Sequence, residues 1–149
     1  MHLKFFLPFL LLLGTAAIAK DPWRKAGGAD ALLSAEQAFA LMPVEAHPGR
    51  LMLRWQIAPG YYLYQHRFQV ESLPPAAPLK LKFPPGQARH DEHFGDVITH
   101  GGAQALQLTL SVPVNQAPKR LRVQYQGCAE VGVCLPPQTR IVDVVSAQP

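Results

Sequence analysis

The sequence has 149 residues, 15 prolines and a formal net charge of +4. That length suits a single domain with a hydrophobic core, and so many prolines argue against long helices. The basic side chains are scattered along the chain rather than gathered in a run, so a nucleic-acid-binding surface is not expected.

The first 19 residues have the pattern of a cleavable secretory signal peptide. The start is basic, residues 5–13 form an apolar run, and Ala17-Ile18-Ala19 matches an A-x-A cleavage site. The run is too short to span a bilayer. We therefore expect an exported protein whose mature chain begins near Lys20, in an oxidising compartment where two cysteines form a disulfide.

The segment after the signal peptide is rich in glycine, alanine and charged side chains. We expect residues 20–35 to form a flexible arm ahead of a folded domain over residues 36–149. Ser34 and Gln37 fit a capping box. Because Pro43 would soon end a helix, residues 36–42 are predicted to be a short strand or a turn.

Alternation of apolar and polar residues, bounded by Pro and Gly turns, predicts the other strands. They cover residues 50–58, 61–71, 79–83, 97–99, 106–112, 120–126 and 139–145. The 61–71 strand is expected to place five side chains on one face, namely Tyr62, Tyr64, His66, Phe68 and Val70. Residues 88–95 have no regular pattern. About seven short strands predict an all-β fold, an immunoglobulin-like antiparallel β-sandwich.

The only two cysteines, Cys128 and Cys134, flank the tip of a predicted β-hairpin at one end of this sandwich. Facing residues on paired strands have Cβ atoms about 4.5–5.5 Å apart, close to the ~3.5–4.5 Å that a disulfide needs. A bridge would close a loop of about seven residues and stabilise the fold by ~2–2.5 kcal/mol if it were only structural. The pattern leaves open whether the bridge is such a staple or a redox couple.

The residues around the cysteines resemble a known family. The block 126–137 reads Gln-Gly-Cys-Ala-Glu-x-Gly-x-Cys-x-Pro-Pro, and it occurs together with Trp55-Gln56-Ile57 and a Gly-Tyr-Tyr-Leu-Tyr segment at 60–64. These motifs resemble the N-terminal periplasmic domain of the DsbD thiol–disulfide interchange proteins, over roughly residues 36–145. The resemblance implies a β-sandwich in the periplasm that exchanges electrons through Cys128 and Cys134.

The resemblance also implies roles and partners. Cys134 would form the mixed disulfide with partners, and Cys128 would be the resolving thiol. Electrons would come from a membrane or thioredoxin-like donor and pass to periplasmic acceptors, among them a disulfide isomerase and thioredoxins of cytochrome c maturation. No cofactor is implied, and the activity would be of the protein-disulfide reductase type.

A cap loop over the disulfide is a further feature that the resemblance implies. The matching residues are Asp91, Glu92, His93 and Phe94, and Tyr62 and Tyr64 match family tyrosines beside the active site. Either His93 or Phe94 could cover the disulfide, and His93 would add a pH-dependent element. The competing interpretation is a polar loop with one anchored Phe, acids without a role, and tyrosines that belong to the core.

Two remaining interpretations concern metal binding and the molecular context. His90, His93 and His100 do not have a convincing metal-ligand spacing, so no metal site is expected. DsbD proteins also carry a transmembrane and a thioredoxin-like domain that this sequence does not contain. We therefore expect the chain either to act with separately encoded partners or to be a fragment of a longer protein, and we expect it to be a monomer. The alternative function is a non-catalytic exported binding module with a structural disulfide.

Overall fold

The computed structural model describes residues 32–75, 79–102, 105–114 and 116–147. The predicted signal peptide and most of the predicted arm lie outside these residues. Leu33 packs against the core, and its backbone N–H donates to the Tyr61 hydroxyl at 2.8 Å. The boundary between arm and domain remains a prediction. Within the described residues, no helix is long and apolar enough to cross a membrane.

The described chain contains one helical turn, α1 (Ala35–Ala38), and a 3-10 turn at Gln65–Arg67. Its strands are β1 (Phe39–Leu41), β2 (Val44–His47), β3 (Arg50–Ile57), β4 (Tyr61–Tyr64), β5 (Gln69–Leu73), β6 (Lys80–Lys82), β7 (Gln87–Asp91), β8 (Gly95–Gly101), β9 (Ala105–Ser111), β10 (Arg120–Tyr125), β11 (Gly127–Ala129), β12 (Val133–Cys134) and β13 (Gln138–Ser146).

Two sheets form the sandwich, which confirms the predicted immunoglobulin-like fold. The larger sheet has the order β5-β10-β13-β2-β3-β9-β6, with β1 also paired to β3. The smaller sheet has the order β12-β11-β4-β8-β7. The described pairs are antiparallel except β2 with β13, which run parallel.

The core of the larger sheet follows from the alternation in β3 and β9. Leu51, Leu53 and Trp55 are fully buried, and their partners across the ladder are the leucines of β9. Each fully buried leucine contributes about 1.5–3 kcal/mol of hydrophobic stabilisation. The polar residues between them face outwards. The strands predicted over residues 50–58 and 106–112 are therefore confirmed.

Two local predictions are wrong, and the prediction for residues 36–42 is partly right. The predicted short strand is β1, which begins at Phe39, but α1 precedes it and begins after the Ser34–Gln37 capping box. A single turn fits ahead of Pro43 because the capping box satisfies its first N–H groups. Residues 88–95 are not irregular throughout, since residues 88–91 belong to β7 and pair with β8. The described residues also form thirteen strands rather than about seven. The predicted strand at 61–71 is divided into β4 and β5, β2 and β7 were not predicted, and β11 and β12 are separate from β10 and β13.

The most consequential error concerns residues 61–71. The 3-10 turn at Gln65–Arg67 separates β4 from β5, which belong to different sheets. Phe68 and Val70 therefore pack in the core between the sheets, whereas Tyr62 and Tyr64 form a second buried cluster with Val97 and Cys128. Tyr62 and Tyr64 lie on one face of β4, and Tyr61 and Leu63 lie on the opposite face, where they contribute to the main core. This arrangement places both tyrosines beside the cysteines.

Candidate functional site: a disulfide hairpin

The two cysteines face each other at the end of a hairpin. Cys128 on β11 and Cys134 on β12 are direct partners in the ladder, and their sulfurs are bonded at 2.10 Å. The tip between them turns through Gly132, whose φ of 88° is favourable only for glycine. The predicted hairpin with one cysteine on each arm is confirmed.

This hairpin is also the place where the chain changes sheets. β10 and β13 pair in the larger sheet, but β11 and β12 pair in the smaller one. The crossing occurs at Gln126 on one arm and over residues 135–137 on the other, where Pro136 and Pro137 have no backbone N–H to pair. The crossing separates the disulfide end of the hairpin from the larger sheet.

Glycine at position 127 allows β11 to approach β4 closely. A Cβ atom at Gly127 would lie 2.1 Å from the Tyr62 carbonyl oxygen and 2.6 Å from Phe39 Cζ. Both distances are far below van der Waals contact, so no larger residue fits without moving the backbone. The approach brings Cys128 into register with Tyr62.

The two cysteines differ in their accessibility. Cys128 is completely buried, whereas Cys134 is exposed at the edge of the smaller sheet. β12 is only two residues long, and it has a neighbour on one side only. Disulfide exchange requires a thiolate to reach a sulfur in line with the bond, so this geometry favours attack at Cys134.

The hydroxyl of Tyr64 lies between the disulfide and a carboxylate. It donates a hydrogen bond to Asp91 Oδ2 at 2.5 Å, and it lies 3.2 Å from Cys128 Sγ and 3.8 Å from Cys134 Sγ. The bonded sulfurs carry no hydrogen, so only the hydroxyl can donate in these contacts. Burial, and then the hydrogen bond to Asp91, raise the pKa of Tyr64 well above its usual range. The hydroxyl therefore keeps its proton at neutral pH.

Asp91 also organises the turn that follows β7. Its Oδ1 accepts backbone N–H groups from His93 at 2.9 Å and from Phe94 at 3.0 Å. The hydrogen bond from Tyr64, followed by the one from His93, lowers the pKa of the Asp91 carboxyl. Asp91 thus connects residues 92–94, which we call the cap turn, to the tyrosine beside the sulfurs.

Within the cap turn, Phe94 rather than His93 packs on the tyrosine. The Phe94 ring lies edge-on to Tyr64, with centroids 5.2 Å apart, and to His66, with centroids 5.0 Å apart. Arg67 Cζ lies 5.5 Å from the centroid of the Phe94 ring. The side chains of Glu92 and His93 are exposed. The ring of Tyr64 therefore lies between Phe94 of the cap turn and the disulfide.

Two charged residues near the site were missed by the sequence analysis. Arg89 on β7 makes two hydrogen bonds of 2.8 Å to Glu130 in the hairpin tip, and its Cζ lies 4.1 Å above the centre of the Tyr62 ring. Tyr62 in turn lies edge-on to Tyr64, with hydroxyls 3.5 Å apart. Glu130 is part of the cysteine motif, but no local pattern connects it to Arg89.

The histidines that could suggest a metal site are dispersed. His90 pairs with Asp96 on the surface at 2.8 Å, and buried His100 contacts Gln65 at 3.0 Å. In the described part of the chain, no three His, Cys, Asp or Glu side chains are grouped closely enough to hold a metal ion. The chemistry of this site lies in its sulfurs, its tyrosine and its carboxylates.

Comparisons with known proteins agree with this geometry. The family profile "Thiol:disulfide interchange protein DsbD, N-terminal" matches residues 29–146. The chain is 42% identical over 117 residues to Thiol:disulfide interchange protein DsbD 2 of Pseudomonas aeruginosa, covering 78% of this chain and 19% of that protein. It is 44% identical over 117 residues to DsbD of Yersinia pestis, covering 75% of this chain and 18% of that protein. The chain thus spans about a fifth of the length of these relatives.

Solved structures give the same result. The reduced N-terminal domain of DsbD from Neisseria meningitidis superposes with a TM-score of 0.66 at 31% identity, covering 83% of this chain and 96% of that one. A complex between the DsbD N-terminal and PilB N-terminal domains of the same organism gives a TM-score of 0.60 at 32% identity, covering 75% and 86%. These matches, together with a paired Cys128 and Cys134 at the end of a β-sandwich, show that the chain belongs to the family of the DsbD N-terminal domain.

Proposed function

We propose that this chain is a periplasmic thiol–disulfide interchange module that passes two electrons through Cys128 and Cys134. The observation that carries the proposal is the asymmetry of the bridge. One sulfur belongs to an exposed residue on a short edge strand, and the other is buried against a protonated tyrosine hydroxyl. A structural staple needs no such difference between its two ends.

Exchange at this bridge proceeds in two balanced steps. A donor thiolate attacks Cys134 Sγ, the bond between the cysteines breaks, and the bonding pair leaves on Cys128 Sγ as a thiolate. The donor's second thiolate then attacks the donor's first sulfur in the mixed disulfide, and Cys134 Sγ leaves as a thiolate. The donor ends as a disulfide, and this chain gains two electrons and two protons. Transfer to an acceptor reverses the same steps, with Cys134 as the attacking thiolate.

Tyr64 and Asp91 assist Cys128 Sγ as the leaving group when the disulfide is attacked. The Tyr64 hydroxyl is 3.2 Å from Cys128 Sγ, and a rotation about its C–O bond redirects its hydrogen from Asp91 to the new thiolate. A hydrogen bond to the charged form lowers the pKa of a thiol, and a thiol with a lower pKa is a better leaving group. Before the bridge opens, the hydrogen bond to Asp91 holds the hydroxyl oxygen beside Cys128 Sγ, and the Phe94 ring covers one edge of the tyrosine.

The partners follow from the accessible residue. We propose thioredoxin-like periplasmic proteins that form a transient mixed disulfide with Cys134, and a membrane protein as the electron donor. The solved complex of a relative joins a DsbD N-terminal domain to a PilB N-terminal domain, which supports a protein partner for this chain. Residues 1–19 as an export signal, 20–35 as a linker arm and 36–149 as the working domain complete the proposal.

Single-cysteine variants test this assignment. Cys128→Ser leaves the exposed thiol of Cys134, and Cys134→Ser leaves the buried thiol of Cys128, so the two variants are matched in composition. We expect Cys128→Ser to form mixed disulfides with an oxidised thioredoxin-like protein, and with a small aromatic disulfide, at least about tenfold faster than Cys134→Ser. Equal rates would contradict the assigned roles.

The reduction potential separates exchange from the alternative function. A structural disulfide has a potential below roughly −300 mV, whereas a shuttle lies closer to the potentials of its partners. Equilibration of the wild-type protein in glutathione buffers measures this value directly. A bridge that stays oxidised throughout, in a protein that forms no adducts through Cys134, would establish a non-catalytic binding module instead.

A further inference from the structure

The ion pair of Arg89 and Glu130 spans the outer face of the smaller sheet. Arg89 lies on β7 at one edge of that sheet, and Glu130 lies in the turn between β11 and β12 at the opposite edge. The guanidinium makes two 2.8 Å hydrogen bonds to the carboxylate and passes over the ring of Tyr62 on the central strand. We call this pair, with Tyr62 beneath it, the clasp.

The clasp matters because the hairpin tip beyond Ala129 has few other contacts, whereas β11 itself is paired to β4. Only two residue pairs connect β11 to β12, and one of them is the disulfide-bonded pair itself. The backbone contributes hydrogen bonds from Glu130 N–H to the Gly60 carbonyl at 2.8 Å, from Gly132 N–H to the Ala129 carbonyl at 3.0 Å and from Leu135 N–H to the Gly127 carbonyl at 3.0 Å. Val131 at the tip is 79% exposed and adds no core packing. In the described chain, Arg89–Glu130 is the one ion pair that the tip makes.

Reduction removes the covalent connection between the two arms. The clasp does not depend on the disulfide, because neither of its charged groups is a cysteine neighbour in the ladder. Opening the bond between Cys128 and Cys134 therefore removes no atom of the ion pair. A tip that stays in place keeps the two thiols at high effective concentration, which favours re-formation of the bridge.

We propose that Arg89 and Glu130 are positioning residues of the exchange site, whose ion pair holds the hairpin tip in the dithiol state and thereby sets the redox equilibrium. This inference rests on the proposed exchange function. In the reaction of the bridge with two glutathione thiols, the products are the dithiol and glutathione disulfide. Loosening the tip gives the dithiol state more conformational freedom, and the equilibrium moves towards reduction.

The size of the effect follows from the exposure of the pair. The side chains of Arg89 and Glu130 are 30% and 47% exposed, so salt and water weaken their attraction. Two parallel hydrogen bonds and the contact with the Tyr62 ring place the pair among the stronger surface pairs. We expect roughly a threefold change in the equilibrium constant, which is about 14 mV for a two-electron couple.

A double-mutant cycle tests the clasp. Arg89→Met keeps an unbranched apolar stem without the guanidinium, Glu130→Gln keeps the shape of the carboxylate, and both remove the charge. Each single variant should be about threefold easier to reduce in glutathione buffers, and the double variant should be no easier than either. In the charge-reversed double variant, Arg89→Glu with Glu130→Arg, the redox equilibrium constant should return towards the wild-type value. Adding 0.5 M salt should shift the wild type in the same direction as the single variants.

The matched control is the pair Arg122 and Glu71, an exposed ion pair of 3.2 Å in the larger sheet. Arg122→Met and Glu71→Gln should leave the equilibrium unchanged. If the wild type stays oxidised in glutathione buffers, the variants can be compared with the wild type in dithiothreitol buffers instead. The clasp is then still tested even if the exchange function proposed above is wrong. Additive effects, or shifts no larger than those of the control pair, would overturn the inference.

Discussion

Replacing Tyr64 with Phe gives the sharpest test of the chemistry at the buried sulfur. The substitution keeps the ring, and with it the edge-on contacts to Tyr62 at 5.4 Å and Phe94 at 5.2 Å. It removes only the hydroxyl, which lies 2.5 Å from Asp91 Oδ2 and 3.2 Å from Cys128 Sγ. The packing of the second cluster should therefore survive, and the thiolate that leaves on Cys128 should lose its donor.

The expected loss can be estimated from hydrogen-bond energies. A hydrogen bond to a charged group is worth about 1.5–3 kcal/mol. The Tyr64 hydroxyl must give up its bond to Asp91 in order to serve Cys128, so the lower value applies. A barrier higher by about 1.4 kcal/mol slows a reaction tenfold. We therefore expect Tyr64→Phe to be reduced roughly ten times more slowly than the wild type.

The assay is reduction by dithiothreitol between pH 6 and 9, stopped by alkylation and counted by mass spectrometry. Tyr125→Phe is the control, because Tyr125 is also buried but packs in the main core against Trp55. At each pH both variants meet the same fraction of dithiothreitol thiolate, so the ratio of their rates does not depend on the ionisation of the reductant. If Tyr64→Phe and Tyr125→Phe react equally fast, the tyrosine does not assist the leaving sulfur and the reasoning fails.

Two further predictions concern stability. Gly127→Ala should lower the free energy of unfolding by about 1–3 kcal/mol or more, because the added Cβ would clash with the Tyr62 carbonyl oxygen at 2.1 Å. Unfolding in urea measures this change. An unchanged unfolding midpoint would contradict the close approach of β11 to β4. The folded-state pKa of Asp91 is depressed, so its contribution to stability is present above about pH 4 and is lost as the pH falls through the folded pKa. Asp91→Asn should therefore show a shallower loss of stability below pH 4 than the wild type, and parallel pH profiles would refute this.

Local patterns in the sequence determined much of this protein. The alternation of β3 and β9 identifies both strands and their buried faces, because side chains in a strand point to opposite sides in turn. The spacing of Cys128 and Cys134 across a Gly-containing tip indicates a hairpin whose arms can be bridged. The motif around them identifies the family, and the capping box at Ser34 was visible even though a helix was not expected there.

The tertiary structure alone decided how these pieces form a site. Tyr64 meets Asp91 across 27 residues, and Arg89 meets Glu130 across 41. Such contacts depend on the break at residues 65–67 and on the crossing of the hairpin between sheets, which redirect side chains that a continuous strand would place elsewhere. A local pattern records which face of a strand is buried, but not which distant strand covers it. The sequence therefore specified the disulfide, and packing specified which charges and hydroxyls surround it.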